Sequence, residues 1–149
     1  MKKIVIYFSA SGITEKRARE LAAVTGSDIQ VIVPAQRYSL ADLDWTNQKS
    51  RSYQENLDDA VRPALEHGNM NLAGYDRIYL GFPIWWGIAP KIINTFVESN
   101  DLSNKEIVVF ATSGGSGLQT AVKTLQKQYP ALDIKAGKLL NHSVKSDII

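Results

Sequence analysis

The sequence predicts an α/β fold in which an open parallel sheet carries helices on both faces. Three observations predict it. Short apolar runs without polar alternation recur along the chain, as expected for parallel strands that are buried on both faces. Stretches with apolar residues at helical spacing separate these runs. The alternation of the two patterns favours right-handed crossovers within one sheet. The 149 residues predict a single domain over residues 1–149.

The first half of the chain opens with an apolar run at residues 4–8, which predicts a buried strand. A polar loop and a helical pattern follow, and Gly26 is a natural C-terminal stop for that helix. Residues 29–33 are a shorter strand candidate. Apolar residues show little period over residues 34–74, so we expect an irregular connection with its helix poorly formed or absent.

The second half repeats the alternation. Three extended segments are predicted, at residues 78–82, 107–111 and 132–140. Two helical patterns lie between them, at residues 88–96 and 118–129. Pro90 falls in the first turn of one helix and Pro130 follows the other, and both positions tolerate proline.

The composition excludes several classes of protein. With 0 cysteines the chain has no disulfide, thiolate metal site, iron–sulfur cluster or cysteine nucleophile. The net charge of +2 is small and the basic residues are dispersed, so we expect no nucleic-acid partner. His67 and His142 are too separated to suggest a metal site. The apolar runs, about five residues long, are too short for a membrane span or a signal peptide, so we expect a cytoplasmic protein.

A loop rich in hydroxyl groups follows the first strand and opens into the first helix. Unpaired amides and the positive end of the helix dipole favour an anion there. The loop contains no lysine and neither nucleotide-binding glycine motif. We therefore expect a phosphate monoester bound by the hydroxyls of Ser9, Ser11 and Thr14 and the amides of Gly12 and Ile13. Alternatively, Ser11 or Thr14 merely caps the helix.

Two adjacent tryptophans follow the strand at residues 78–82. Paired indoles at a loop tip favour an amphipathic platform for a flat conjugated ring, because a buried indole N–H needs a partner. Gly87 permits close backbone approach. The candidate ring-binding residues are Pro83, Ile84, Trp85, Trp86 and Gly87. The alternative is that both tryptophans pack in the core.

A glycine-rich loop follows the strand at residues 107–111. Its candidate ligand-binding residues are Ser113, Gly114, Gly115 and Ser116, whose backbone can approach a ligand edge closely. Alternatively, Ser116 simply caps the next helix. Ligands of open α/β sheets bind beyond the carboxyl ends of the strands. Together the three loops therefore predict a site for a phosphorylated planar cofactor.

Three motifs carry a family resemblance: residues 9–14 (SASGIT), residues 81–87 (GFPIWWG) and residues 113–117 (SGGSG). In these motifs the chain resembles the flavodoxin family, in particular short bacterial flavodoxin-like proteins. The resemblance implies a three-layer sandwich with a five-stranded sheet in the order 2-1-3-4-5. It also implies FMN bound noncovalently at the carboxyl rim of that sheet.

The resemblance further implies electron transfer through the flavin, with a redox partner protein or a small-molecule electron donor or acceptor. An NAD(P)H-dependent FMN or quinone reductase of the same fold is the main alternative. A backbone carbonyl near Trp86 or Gly87 is expected to accept a hydrogen bond from the flavin. We assign no catalytic residue, and expect Glu15, Lys16 and Lys91 to be solvated.

Two features depart from the family. Flavodoxins are commonly acidic, whereas this chain has a net charge of +2, which puts the usual partners in doubt. The family also closes with a helix over one sheet face, and only residues 143–149 remain here to form one. We expect either a truncated helix or a second subunit over that face, as in a homodimer.

Two remote alternatives come from other classes. Ser116, Asp133 and His142 occur in the chain order of a serine hydrolase, but Leu118 stands where the nucleophile motif needs glycine. A cofactor-free interaction domain would use the tryptophans as an adhesive surface. Trp45 and Tyr53, in the irregular connection, either cover the sheet edge or border the ligand site, and we assign neither to the site.

Overall fold

The computed structural model describes residues 1–144. Five parallel strands form a sheet in the order β2-β1-β3-β4-β5. The strands are β1 (Lys3–Tyr7), β2 (Asp28–Val31), β3 (Arg77–Pro83), β4 (Glu106–Thr112) and β5 (Asp133–Leu139). The helices are α1 (Ile13–Thr25), α2 (Arg51–Leu57), α3 (Lys91–Ser99) and α4 (Gln119–Gln128). The predicted fold class and strand order are confirmed.

Each face of the sheet has its own apolar core, because successive strand residues point to opposite faces. On one face, strand residues such as Ile6 and Val109 cluster with buried residues of α3 and α4. On the other, Val5, Tyr79 and Phe110 cluster with α1. Parallel strands covered on both faces bury continuous apolar runs, which is why these runs predict the strands.

Gly81 allows the inner strands to pack closely at the carboxyl end of the sheet. It pairs in register with Phe110, and a β-carbon at this position would overlap the Phe110 ring. Only glycine leaves room for the ring. The strand can then continue to Pro83, where the loop with the two tryptophans begins.

The connection at residues 34–74 is more ordered than the sequence predicted. It contains α2, a helix of seven residues whose cap, the Ser50 hydroxyl, accepts a hydrogen bond from the Tyr53 amide. The expectation that this helix is poorly formed or absent was therefore wrong. Residues Pro34 and Leu65 form an antiparallel bridge, so the connection also pairs beside the outer edge of the sheet.

The predicted short terminal segment at residues 143–149 lies largely outside the described residues, which end at 144. In the part of the chain that is described, no helix is long and apolar enough to span a membrane. The same residues contain no group of three or more histidine, cysteine, aspartate or glutamate side chains that could hold a metal ion.

Candidate functional site

The three loops predicted to bind a ligand lie together at the carboxyl ends of neighbouring strands. The Thr14 and Thr112 hydroxyls are 2.8 Å apart and hydrogen-bonded, which joins the start of α1 to the end of β4. The Ile84 amide donates to the Thr112 carbonyl at 2.9 Å. Thr112, at the end of β4, therefore connects the loops that follow β1 and β3. The third loop begins directly after it.

The loop between β1 and α1 is organised by Ser9. Its hydroxyl oxygen accepts hydrogen bonds from the amides of Gly12 and Glu15, each at 3.1 Å. Gly12 has φ of 90° and no side-chain cap bond is formed at this N-cap position. The alternative in which Ser11 or Thr14 caps the helix is therefore wrong.

The start of α1 retains free hydrogen-bond donors. Within residues 1–144 the amides of Ser11, Ile13 and Thr14 donate to no other group, as expected for the first turn of a helix. The Ser11 side chain is exposed, whereas Thr14 is 2% exposed. The Ser9 oxygen accepts twice and retains its own proton for donation. The loop is thus a concentration of donors suited to an anion.

The two adjacent tryptophans lie on a tight turn after β3. The Trp85 amide donates to the Ile88 carbonyl at 3.0 Å, and the Ile88 amide donates back to the Trp85 carbonyl at 3.1 Å. Trp86 and Gly87 between them have φ of 50° and 83°. Positive φ at both central residues is the geometry of a type I′ turn, and glycine adopts it without strain.

This turn gives the two indoles different environments. Trp85 is half-buried, and its ring packs edge-on against Phe8 and Tyr38 with centroids 5.9 and 5.5 Å away. Trp86 is 42% exposed and contacts Tyr53 edge-on at 5.5 Å. The core-packing alternative thus describes Trp85 in part, while Trp86 presents its ring to solvent.

The glycine-rich loop after β4 is held by Ser113. Its hydroxyl accepts from the amides of Gly115 and Ser116 at 3.1 and 2.7 Å, and its own amide donates to the Asn141 side chain at 2.9 Å. The N-cap of α4 is Leu118 and has no side-chain cap bond, so the proposed cap by Ser116 was wrong.

A cleft of about 460 Å³ opens between the loops that follow β3 and β4 and the 34–74 connection. Its volume falls in the range of about 300–1,000 Å³ that is typical of small-molecule sites. The residues that line it are Leu43, Trp45, Ser52, Ile84, Trp85, Trp86, Gly115 and Ser116. We call this the tryptophan cleft. It brings together five residues predicted from the sequence and three from the connection.

The first loop borders a smaller, neighbouring cleft of about 170 Å³, which Ser9 lines together with Phe8, Ala10, Pro34, Arg37 and Tyr38. Tyr38 and Phe8 pack edge-on with ring centroids 5.5 Å apart, and both contact Trp85. The two clefts therefore share an aromatic wall. Arg37 brings an exposed positive charge close to a loop that has none of its own.

The connection thus contributes residues that the sequence did not assign to the site. Trp45 lines the cleft with 71% of its surface exposed, and Tyr53 packs against Trp86. Trp45 therefore borders the same cleft as residues that the sequence analysis assigned to the site. The length and irregularity of the connection could have indicated that it borders the site, since long irregular connections in compact domains are often functional.

Lys91 also differs from the expectation. Its side chain is only 4% exposed, and its ammonium lies 3.5 Å from the Asp59 carboxylate. The prediction that Lys91 is solvated was therefore wrong. Lys16 is exposed as expected, and the Glu15 carboxylate accepts a hydrogen bond from the Tyr7 hydroxyl at 3.2 Å.

The phenols of Tyr38 and Tyr7 remain protonated. Burial is the main cause that raises the pKa of Tyr38 far above its usual value, and its hydrogen bond to Glu55 adds to the effect. Burial and then the charge of Glu15 raise the pKa of Tyr7 in the same direction. Both groups are neutral hydrogen-bond donors throughout the physiological pH range.

The serine hydrolase alternative has no geometric basis. Ser116 lies at the carboxyl rim of the sheet. Asp133 begins β5 and pairs in register with Glu106, the first residue of β4. Ser116 and Asp133 therefore lie at opposite ends of the parallel strands. The chain order that suggested a triad does not bring them together.

A five-stranded doubly wound sheet with these rim loops defines the class of flavodoxin-like α/β proteins. The sequence agrees with this class. The chain belongs to the flavodoxin family, whose sequence profile matches residues 2–149. A comparison with the curated proteins gives no match.

Solved structures with the same fold include two from Bacteroides. A candidate flavoprotein of Bacteroides eggerthii DSM 20697 is 47% identical, with TM-score 0.96, and 99% of this chain aligns with 92% of that one. A candidate flavoprotein of Bacteroides uniformis ATCC 8492 is 46% identical, with TM-score 0.95 and coverages of 99% and 94%. A flavoprotein of Lactobacillus acidophilus NCFM in complex with FMN shares the fold at 22% identity and TM-score 0.69, with coverages of 93% and 91%.

Proposed function

We propose that this protein binds FMN noncovalently at the carboxyl rim and transfers electrons through it. The observation that carries the proposal is an aromatic cleft beside a helix N-terminus with free amides. These two surfaces match the two chemical parts of FMN, a flat ring system and a terminal phosphate. The complex of the Lactobacillus acidophilus flavoprotein with FMN supports the choice of ligand.

The phosphate part of the fit rests on the first loop. The amides of Ser11, Ile13 and Thr14 are free to donate, and the Ser11 and Ser9 hydroxyls can add two more donors. The dipole of α1 favours a negative charge at this end of the helix. Arg37, on the neighbouring cleft, would contribute an attractive charge from the connection.

The ring part of the fit rests on the tryptophan cleft. Its indoles offer apolar faces, and the exposed Gly115 backbone offers polar groups without a side chain in the way. Within residues 1–144 the carbonyls of Trp86 and Gly87 accept no hydrogen bond. Either is therefore available to a ring N–H, which supports the expected role of this turn.

When bound, FMN supplies the ability to exchange one or two electrons. The chain contributes binding, orientation and exclusion of water. Among the described residues, no titratable side chain lines the tryptophan cleft. This environment suits electron transfer better than a reaction that needs a general acid from the protein.

The proposal includes partners and location. We propose a redox partner protein, or a small-molecule electron donor or acceptor, that approaches the exposed Trp86 edge of the cleft. A cytoplasmic location is supported by the complete absence of cysteine from the sequence. A homodimer in which a second subunit covers one sheet face remains part of the proposal.

The first test is titration of the purified protein with FMN, followed by visible absorbance and by calorimetry. We expect a shifted flavin band and tight binding. Ser11→Ala should raise the Kd for FMN about three- to tenfold, because one hydrogen bond to the phosphate is lost. The Kd for riboflavin, which lacks the phosphate, should not change. Ser103→Ala is the matched control, because Ser103 precedes β4 at the amino-terminal end of the strands.

Photoreduction then separates a carrier from a reductase. Accumulation of one-electron-reduced flavin supports the carrier. Rapid bleaching of the flavin by NAD(P)H alone would instead identify an NAD(P)H-dependent reductase of the same fold. Absence of FMN binding by the unmodified protein contradicts the proposed function as a whole.

A further inference from the structure

We propose that the 34–74 connection forms part of the cofactor site through two residues. Ser52 would form a hydrogen bond with the polar edge of the bound flavin ring, and Trp45 would cover part of the ring surface. This inference rests on the proposed binding of FMN. It assigns a binding role to a segment outside the three loops that carry the family motifs.

The hydroxyl of Ser52 is the observation that carries the inference. Ser52 is 2% exposed, and its hydroxyl has no hydrogen-bond partner within residues 1–144. Buried polar atoms in folded proteins almost always have a partner, because leaving one unpaired is costly. Ser52 also lines the tryptophan cleft. A ligand with carbonyl and N–H groups in that cleft would supply the missing partner.

The Ser52 hydroxyl does not use its usual local acceptor. A serine in a helix commonly bonds the carbonyl four residues earlier. For Ser52 that carbonyl belongs to Gln48, which accepts instead from the Gln54 side chain at 2.5 Å. The Ser52 amide is itself satisfied, since it donates to the Asp42 carbonyl at 2.9 Å. The backbone is therefore fixed while the hydroxyl is left without a partner in the described part of the chain.

Trp45 provides the second observation. It lines the same cleft although 71% of its surface is exposed. The Asp44 carboxylate accepts from the Thr46 amide at 3.0 Å and from the Thr46 hydroxyl at 2.6 Å. This turn holds the backbone on either side of Trp45 and leaves its ring uncovered.

The third loop explains why a second aromatic surface is useful. Residues 113–117 are serine and glycine alone, so that loop offers backbone groups and no ring. Trp45 supplies an aromatic surface from a different element than Trp86 does. Offset or edge-on contact with aromatic rings adds to the affinity for a flat ring beyond the area that is buried.

The connection and the tryptophan turn already contact each other. Tyr53, the residue after Ser52, packs edge-on against Trp86 with centroids 5.5 Å apart. Asn56 donates to the Trp85 carbonyl at 3.4 Å. Both residues belong to α2, so this helix places Ser52 beside the two indoles.

The test compares Ser52→Ala, Trp45→Ala and Leu40→Ala in FMN titrations of the full chain. Ser52→Ala should raise the Kd about three- to tenfold, and Trp45→Ala about tenfold. Leu40 is 90% exposed in the same connection and does not line the cleft, so Leu40→Ala should leave the Kd unchanged.

Thermal unfolding of the cofactor-free protein supplies a second readout. Because alanine removes a buried hydroxyl without a partner, Ser52→Ala should keep the melting temperature or raise it while FMN binding weakens. A lower melting temperature with unchanged affinity would assign Ser52 a purely structural role and overturn the inference.

Two further outcomes test the inference and the proposed function separately. Unmodified protein that binds FMN, with both cleft variants binding equally well, overturns the inference and leaves the proposed function in place. Unmodified protein that does not bind FMN overturns the proposed function itself. The two failures are therefore distinguishable.

Discussion

The second and third rim loops meet the 34–74 connection at the tryptophan cleft, but the loops and the connection are held in place differently. The rim loops continue directly from paired strands, and backbone hydrogen bonds such as Ile84 to Thr112 fix them. The connection has backbone bonds too, such as Ser52 to Asp42, but side-chain contacts join its distant parts. Tyr38 donates to Glu55 at 2.5 Å, and Arg51 donates to the Gln36 carbonyl at 2.6 Å. Strand pairing tolerates change in one side chain, whereas the side-chain contacts of the connection depend on particular residues.

The side-chain contacts of the connection form one cluster. The Arg51 guanidinium lies over the Tyr38 ring at 3.8 Å and bonds the Glu55 carboxylate at 2.9 Å. The side chains of Arg51 and Glu55 are 17% and 13% exposed. Interactions with so little exposure are screened weakly by solvent. The comparison therefore predicts that the sheet fails as a whole, while the connection can loosen alone.

The largest expected effect concerns the sheet. Gly81→Ala places a methyl group against the Phe110 ring, and overpacking of this kind costs about 3 kcal/mol. Because β3 leads into the tryptophan turn, FMN binding should fall together with the urea midpoint. Gly68→Ala is the control, since a β-carbon there meets no atom within 4 Å. A fully stable Gly81→Ala would show that the rim is less constrained than its packing indicates.

An intermediate effect is expected in the connection. Glu55→Ala removes the acceptor of the Tyr38 hydroxyl and the carboxylate that pairs with Arg51, at a cost of about 2 kcal/mol. Limited proteolysis should then become faster within residues 34–74 while the circular dichroism of the sheet persists. Glu66→Ala breaks only the exposed 3.9 Å contact with Arg37 and should change little. Simultaneous loss of sheet and connection would contradict the distinction between them.

The smallest effect is the pH dependence of the sheet. Hydrogen bonds from Lys135 and then Arg77 lower the pKa of Glu106. A lowered pKa in the folded state means that Glu106 contributes stability above its unfolded pKa, and that this contribution is lost as the pH falls through the lowered value. Glu106→Gln should therefore flatten the decline of the urea midpoint between about pH 6 and pH 3. Glu66→Gln should leave that decline unchanged.

The sequence predicts what depends on near neighbours. Apolar runs locate the strands, and the hydroxyl-rich loop locates the start of α1, because both signals span fewer than about ten residues. The order of the strands required the family resemblance, since no local pattern encodes which strands pair. Residues 83–87 were correctly placed at the carboxyl end of the sheet, because they directly follow an apolar run that predicts a strand.

The errors concern partners that are distant in the chain. Lys91 follows a proline at a helix start, which suggests a solvated position, but it is buried beside Asp59. Thr14 could not be known to bond Thr112, which is 98 residues away. Trp45 lies in a segment with no apolar period, so only the tertiary structure shows that it borders the cleft.

The sequence contains 3 tryptophans, and Trp45, Trp85 and Trp86 all line the same cleft. Tryptophan fluorescence of this protein is therefore a local signal, which originates at the cleft and nowhere else in the chain. Its emission wavelength reports the hydration of the cleft, and its intensity reports quenching by a bound ring. An unlabelled sample is thus sufficient to follow opening of the cleft separately from unfolding, which the circular dichroism of the backbone reports.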